Sequence, residues 1–516
     1  MFIFQEFLTY LSFKHISFLY PLKTEGESGL VLVILMLLVI SSMSFSASTR
    51  WNAMGGEHRF IIDTTNYTIY PGRITMFGNA VFVIPVPKSD VKEFYDQRYF
   101  TDDGFVTGVL LNIKNMTLAV HYNLDSDGTR NLRKSLAGFL PDSAAIEDAQ
   151  RDLRNEDFGS DEWIKAKNTM DLLNQKSRLY NMDVKTFPDI FWAMKTGNMS
   201  IGARLAIAMD SSSDSASLTE VPVKNESGMV IGKNVLPVEE IETSAKSIDF
   251  LIGATMYETP AGDVDLGLGI GKQSFSDDDP NSKYTIESTG GLDIAFNARL
   301  NKPLGKDAKY TLVPILNFNT GSLPSADYNE ITAPKTSEVS YMKGDLGVGV
   351  REKIRDKGLV VIGLVGGYNA TTTKAITTIV TEQEDKPTTR TKKEFPDTKD
   401  TTLGATLLAG CEYPVTKWLI VRGGANMKYS KLNDEITVTK KIEDFADETK
   451  SSTEDLVSTK KSDSFTSYYN MGIRTIYSGL IIDFLLARNL LHRGPYIISG
   501  ASGGTWATHI CVTYAF

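Results

Sequence analysis

Over most of the chain, apolar and polar positions alternate with a period of two rather than 3.6. Met199, Ile201, Ala203, Leu205, Ile207 and Met209 share one parity, and Ser200, Gly202, Arg204, Ala206, Ala208 and Asp210 the other. Val264, Leu266, Leu268 and Ile270 alternate with Asp263, Asp265, Gly267, Gly269 and Gly271. Segments of this kind are strands with one greasy face and one polar, glycine-rich face. The pattern predicts strands at 73–84, 105–113, 116–124, 187–195, 199–210, 247–257, 263–273, 291–301, 309–319, 340–353, 359–370, 402–413, 418–429, 467–477, 480–489 and 506–516. Every second connection is a tight turn, as at Lys114-Asn115, 196–198, 414–417 and Ser478-Gly479. The others are long: 85–104, 125–186, 211–246, 274–290, 320–339, 371–401, 430–466 and 490–505.

Strict short–long alternation puts all tight turns at one end of a sheet and all large loops at the other. A sheet that crosses lipid must pair every backbone group, so it must close on itself. The expected fold is therefore all-β: a transmembrane antiparallel up-and-down β-barrel of about 16 strands, or about 14 if a hairpin is lost, with short periplasmic turns and long extracellular loops. Pro314 falls inside a strand and predicts a bulge or kink. One long loop, 125–186, carries helical signals. Asp142-Ser143 can cap 144–153, and Ser160 can cap 161–180, where Trp163, Met170 and Leu173 make an apolar stripe. That insert either covers the extracellular rim or folds into the lumen.

The first stretch of the chain does not alternate. Leu30–Ile40 is an apolar core followed by Ser44, Ser46 and Ser48, which suit cleavage after Ser46 or Ser48. Residues 1–46 are expected to be a signal peptide or leader, whose poor amino-terminal flank points to an over-extended start or a retained anchor. Residues 47–72 would form a periplasmic or lumen-entering segment, and 73–516 the barrel. At the other end, Ile510, Val512, Tyr514 and Phe516 share one parity. This ending resembles the carboxy-terminal signature of bacterial outer-membrane proteins, which implies recognition by the barrel-assembly machinery and a lipid-facing even parity.

Composition narrows the function. A net charge of −9 argues against nucleic acid as a partner. Two cysteines cannot make a disulfide framework, and five histidines limit metal and acid–base chemistry. No zinc spacing, P-loop or dinucleotide fingerprint is present. No serine or paired-carboxylate motif accompanies His58, His121, His492 or His509. The expectation is no enzyme, no catalytic residue, no metal and no cofactor. The acidic clusters 125–128 and 276–282 lack full calcium-loop spacing and read as solvated surface.

Charges instead collect on the inward parity: Arg204, Asp249, Asp263, Asp265, Asp293, Arg299, Lys343, Asp345, Arg351, Glu412, Arg422, Lys428, Arg474 and Asp483. A charged side chain facing lipid is costly, so these predict a polar interior. They either filter solutes or pair off and brace the wall. Tyr122, Trp192, Tyr257, Tyr368, Tyr413, Tyr429, Tyr477 and Trp506 fall near strand ends and are expected to form an interfacial girdle.

Residues 50–74 resemble the segment that precedes the barrel in outer-membrane proteins related to long-chain fatty-acid transporters. The likeness rests on Ala53, Met54, Gly55, Gly56, Asp63, Tyr70 and Pro71, with Glu57, His58 and Gly72 departing from it. It implies a segment that partly enters the lumen. Three functions follow as expectations: a porin-like channel for passive diffusion of small solutes, a transporter of hydrophobic compounds, or a non-conducting structural or assembly barrel whose loops bind partners. Outer-membrane lipids and small solutes are the expected contacts.

Overall fold

The computed structural model describes Met54 and most of residues 58–515. Residues 1–53, 55–57, 63, 87–103, 487–506, Phe516 and shorter loop pieces lie outside the described residues. The leader, Gly55, Gly56, Asp63, His492, Trp506 and Phe516 therefore stay sequence expectations.

A closed barrel of 16 antiparallel strands makes the wall. Its strands are β1 (Ala80–Val86), β2 (Gly104–Ile113), β3 (Met116–Tyr122), β4 (Lys185–Thr196), β5 (Met199–Ser215), β6 (Glu240–Thr259), β7 (Gly262–Asp278) and β8 (Gly291–Leu304). They continue as β9 (Tyr310–Leu323), β10 (Glu338–Ile354), β11 (Gly358–Lys374), β12 (Asp397–Pro414), β13 (Leu419–Asp444), β14 (Ser452–Tyr477), β15 (Leu480–Leu486) and β16 (Ala507–Ala515). Consecutive strands pair throughout, and closure comes from β16 on β1, with Ala80 opposite Ala515 and Val83 opposite Val512. The Tyr514 side chain is exposed on the outer face. Ile510 and Val512 take the same parity in the backbone register against Phe484 and Ile482.

The period-two pattern becomes two surfaces. Leu268, Ile270, Leu346, Ile362, Leu364 and Leu403 are exposed on the outer face, an apolar belt no water-soluble wall would present on this scale. Tyr122, Trp192, Tyr413, Tyr429 and Tyr477 are exposed on the same face. Tyr257 is not in that girdle. It takes the odd, inward parity of β6 and lies under Arg73, 5.4 Å from the guanidinium carbon to the ring centre.

Three further expectations change. The first strand begins at Ala80, because Pro71–Met76 winds into a 3-10 turn whose Pro71, Gly72, Arg73 and Ile74 are buried. Pro314 produces no bulge. The ladder to β8 skips Leu300 and Asn301 and resumes in the same register, while β10 pairs straight through with Pro314 opposite Val348. Losing one donor is absorbed by a gap of two residue pairs on one side of the strand. Stretches read as loops are partly strand: β13 and β14 pair from Leu419 opposite Thr475 out to Ile442 opposite Ser452. At 26 residues each they are more than twice the length of the roughly 9–11 residues with which a strand can cross a bilayer.

The insert between β3 and β4 holds three helices, α1 (Asp127–Ala137), α2 (Ser143–Asn155) and α3 (Asp161–Tyr180). Leu132, Leu136 and Phe139 pack with Leu179, Val184, Ala208, Ala245, Phe275, Ile286 and Ala326, so the insert shares one apolar core with the β5–β9 side of the wall.

Candidate functional site: the occupied lumen

The described residues between Met54 and Asn79 do not join the wall. They form a strap that runs around the inside of the barrel, and the wall strands meet it with glycine. Met54 lies against Gly410 of β12, Phe60 against Gly349 of β10 and Gly363 of β11, and Ile69 against Gly267 of β7. Pro71 lies against Gly253 of β6 and Gly202 of β5. A Cβ on Gly202 would stand 2.5 Å from the Pro71 carbonyl carbon, and one on Gly349 would stand 2.7 Å from the Phe60 ring. Neither clearance is available to a real side chain, so these glycines form the groove that seats the strap. At the end of its course Asn112 of β2 donates to the Phe77 carbonyl at 2.6 Å, and the chain enters β1.

Buried charge fixes the strap in place. Arg73 is fully buried and donates to Asp265 at 2.5 Å, with Asp263 at 3.6 Å. Arg299 donates to the other Asp265 oxygen at 2.8 Å and to Asn66 at 2.7 Å, and its guanidinium stacks 4.8 Å from the Tyr70 ring centre. Asp265 thus bridges an arginine of the strap and an arginine of the wall. Arg59 reaches Asp345 at 3.1 Å, and Arg351 donates to Asn301 at 2.8 Å. Tyr67 shares a 3.0 Å hydrogen bond with His121, which stands 3.4 Å from Asp189, itself held by Arg204 at 2.8 Å. Burial pushes the Tyr67 phenol far above its usual range, and Asp189 adds to the effect. With His121 and Asp189 sealed beneath the strap, the cluster serves as an anchor rather than an accessible reaction centre.

The arc of wall beyond the strap carries its own network. Arg422 bridges Glu412 at 2.6 Å and Asp483, and Arg474 donates twice to Asp483 at 2.8 Å. All four residues face inward, and Arg422 and Asp483 are buried.

At the long-loop end, α1 enters the lumen. Ser126 caps it by accepting from the Thr129 amide at 3.1 Å, and the Gly128 amide donates to Asp249 of β6 at 3.2 Å. Ser126 and Ser247 also donate to Asp249. A carboxylate at a helix amino-terminus satisfies orphan amides and complements the dipole. Further along, Asn131 donates to Asp293 at 2.7 Å, and Gln273 and Tyr341 donate to the same carboxylate. Arg178 of α3 donates to Asp277 at 2.7 Å and to Asp279 at 2.9 Å. Burial pulls the guanidinium of Arg178 down, but these two carboxylates outweigh it and hold it above its usual value.

Both acidic clusters read as solvated surface are thus corrected. Ser126, Asp127 and Gly128 start a lumenal helix, and within 276–282 the buried Asp277 clamps another. The expected helices at 144–153 and 161–180 are present, but the helix that reaches furthest into the lumen, α1, was read as loop.

Between strap and α1 lies a chamber of about 800 Å3. Asn297, Asn317, Asn319, Asn369, Asn426 and Thr406 face it from β8–β13. Of the charges expected inward, Arg204, Asp249, Asp293, Lys343, Asp345 and Lys428 line it. Asp263, Asp265 and Arg299 are used at the strap, Arg351 reaches Asn301 of β8, and Glu412, Arg422, Arg474 and Asp483 form the separate network. Arg59, Arg73, Asp189, Asn131 and Tyr341 were missed as site residues. The parity rule applies only to wall strands, so it could not find the strap and helix members.

No family model and no curated protein matches the chain. Among solved structures it is similar to the ferric yersiniabactin uptake receptor of Yersinia pestis, at 8% identity over 79% of this chain and 68% of that one, with a TM-score of 0.31. It is also similar to the FrpB iron transporter of Neisseria meningitidis, at 7% identity over 79% and 68%, with a TM-score of 0.30. A third is the hemophore receptor HasR of Serratia marcescens, at 8% identity over 82% and 64%, with a TM-score of 0.34. Superposition this loose assigns no substrate, and it adds no support to the fatty-acid-transporter resemblance of residues 50–74.

Proposed function

We propose that the chain is a channel of the bacterial outer membrane that passes small hydrophilic solutes by diffusion, through a lumen narrowed by the strap and by α1. The observation that carries the reading is the amide-, hydroxyl- and charge-lined chamber inside a closed wall with an apolar exterior. A wall of 16 strands is wide enough for water. The chamber's asparagine row offers hydrogen bonds to hydrated solutes and little to an alkyl chain, which weighs against a transporter of hydrophobic compounds. On this reading Ile510, Val512, Tyr514 and Phe516 present the insertion signal.

Purified protein added to a planar lipid bilayer is expected to give ohmic conductance steps, larger when the insert 126–181 is replaced by a short linker. A barrel that inserts yet never conducts, with or without the insert, removes the channel reading in favour of a structural barrel. Release into the soluble fraction by salt would defeat the membrane assignment itself.

A further inference from the structure

The chamber's charges are not balanced in the space they leave open. Four carboxylates line it, Asp127, Asp249, Asp293 and Asp345, and each is already engaged. Asp127 pairs with Arg130 within one turn of α1. Asp249 takes the cap of that helix, Asp293 takes Asn131, Gln273 and Tyr341, and Asp345 takes Arg59. Arg204 is occupied by Asp189. Asp127 and Asp345 are neutralised by arginines, while Asp249 and Asp293 are held by neutral donors and keep their charge; three lysines are set against those two. Lys134 of α1 and Lys428 of β13 are exposed to the chamber, and neither has a carboxylate in ion-pairing reach among the described residues. Lys343 of β10 is also exposed there, its ammonium 5.2 Å from the Tyr341 ring centre. In the ladder it stands between Asn319 and Asn369.

We infer that the chamber is a selectivity site for small anions, with Lys134, Lys343 and Lys428 as the residues that set the preference. The inference rests on the channel reading and specifies its solute class. Ammonium groups around a confined aqueous space focus the potential and raise the local concentration of the opposite charge. Lys343 flanked by two amides adds hydrogen-bond donors suited to an oxyanion such as phosphate or a carboxylate. The source of the charge imbalance is local: the chain as a whole is acidic, at −9, so bulk charge would favour cations instead.

The test is zero-current potential across a planar bilayer under a potassium chloride gradient, with inorganic phosphate then added as a competing anion. The wild-type channel is expected to favour chloride over potassium several-fold and to lose chloride current as phosphate is added. The set K134E, K343E and K428E is expected to reverse the preference, while the matching arginine set keeps it. Heat-modifiable gel mobility checks that each variant is a folded barrel. If the glutamate set fails to fold, K428E alone is expected to weaken the chloride preference measurably. Potassium preference in the wild type, or a selectivity unmoved by the glutamate substitutions, overturns the anion site and leaves the channel intact. Absence of any conductance overturns both.

Discussion

The two bodies that occupy the lumen are held in opposite ways. The strap is seated in a row of glycines, by its backbone at Gly202, Gly267 and Gly410 and by the Phe60 ring at Gly349 and Gly363, and it is locked by buried arginines. The insert meets the wall through side chains: a helix start on Asp249, an amide on Asp293 and a guanidinium on Asp277 and Asp279. Its apolar core lies to one side of the lumen, and a chamber remains beside it. Close backbone packing makes a permanent fitting. Beside the apolar core that the insert shares with the wall, its polar contacts along the chamber are the part that can be released, because water there can replace each lost hydrogen bond. The lumen therefore has a fixed end and an adjustable end.

The most severe way to test the fixed end is to remove its shared carboxylate. Asp265→Ala leaves Arg73 and Arg299 buried with only the more distant Asp263 for compensation. Breaking a buried pair typically costs about 3–5 kcal/mol. The expected result is loss of the fast-migrating unboiled form at temperatures the wild type survives, together with new protease cleavage within 54–79. Overfilling the groove comes next. Gly202→Val drives a side chain into Pro71, an overpacking cost of about 1–3 kcal/mol. Gly344 is the control, since a Cβ there meets nothing nearer than 3.9 Å and alanine should be neutral. Equal damage at both glycines would mean that the strap does not depend on the groove.

At the adjustable end, Asp249→Ala removes the acceptor for the Ser126 hydroxyl and the Gly128 amide. The expected cost is about 1–3 kcal/mol of helix docking with the barrel left intact, because Ser126 and Asp249 border the chamber and water can enter the space the carboxylate leaves. Faster amide exchange across 127–137 and larger conductance, at unchanged thermal mobility, would show release. A fall in barrel stability as large as that of Asp265→Ala would erase the distinction between the two ends.

The wall was legible because an apolar outer face and a polar lumen impose a strict period of two on long segments, and loop lengths then gave strand count and closure. Even the inward glycines of 202, 267 and 269 stood out as a pattern. Their purpose did not, because a groove has meaning only once the strand that fills it is known. Residues 64–76 lack periodicity, and Pro71-Gly72 reads equally well as a strand entry or a 3-10 turn. Arg73 looked like an ordinary flanking charge, with no local signal for its burial against Asp265, 192 residues away. The helix α1 was recoverable in principle. Ser126 is a good cap, and Leu132 and Leu136 recur at helical spacing, but Asp125, Asp127 and Gly128 drew the reading toward an acidic turn.

The finest test of the adjustable end is acidity. Asp171 of α3 is raised above its ordinary value, chiefly because burial in the folded insert desolvates it, against the opposing pull of Lys167 at 2.6 Å. A carboxylate raised by burial is penalised when ionised. Its cost is fully present above the raised value and disappears as pH falls through it toward the free carboxylate value of about 3.9. Mild acidification should therefore tighten α3 against the wall, whereas a salt bridge that simply loses its carboxylate would loosen it. Arg178 stays cationic throughout this window, so it contributes no opposing change of charge of its own. Asp171→Asn should dock slightly more firmly than wild type at neutral pH and lose the gain on acidification. The measurement is amide exchange of 161–180 at two pH values, corrected for intrinsic rates. Protection that falls with acid in the wild type, and falls equally in the asparagine variant, would show that the insert is held by its ion pairs alone.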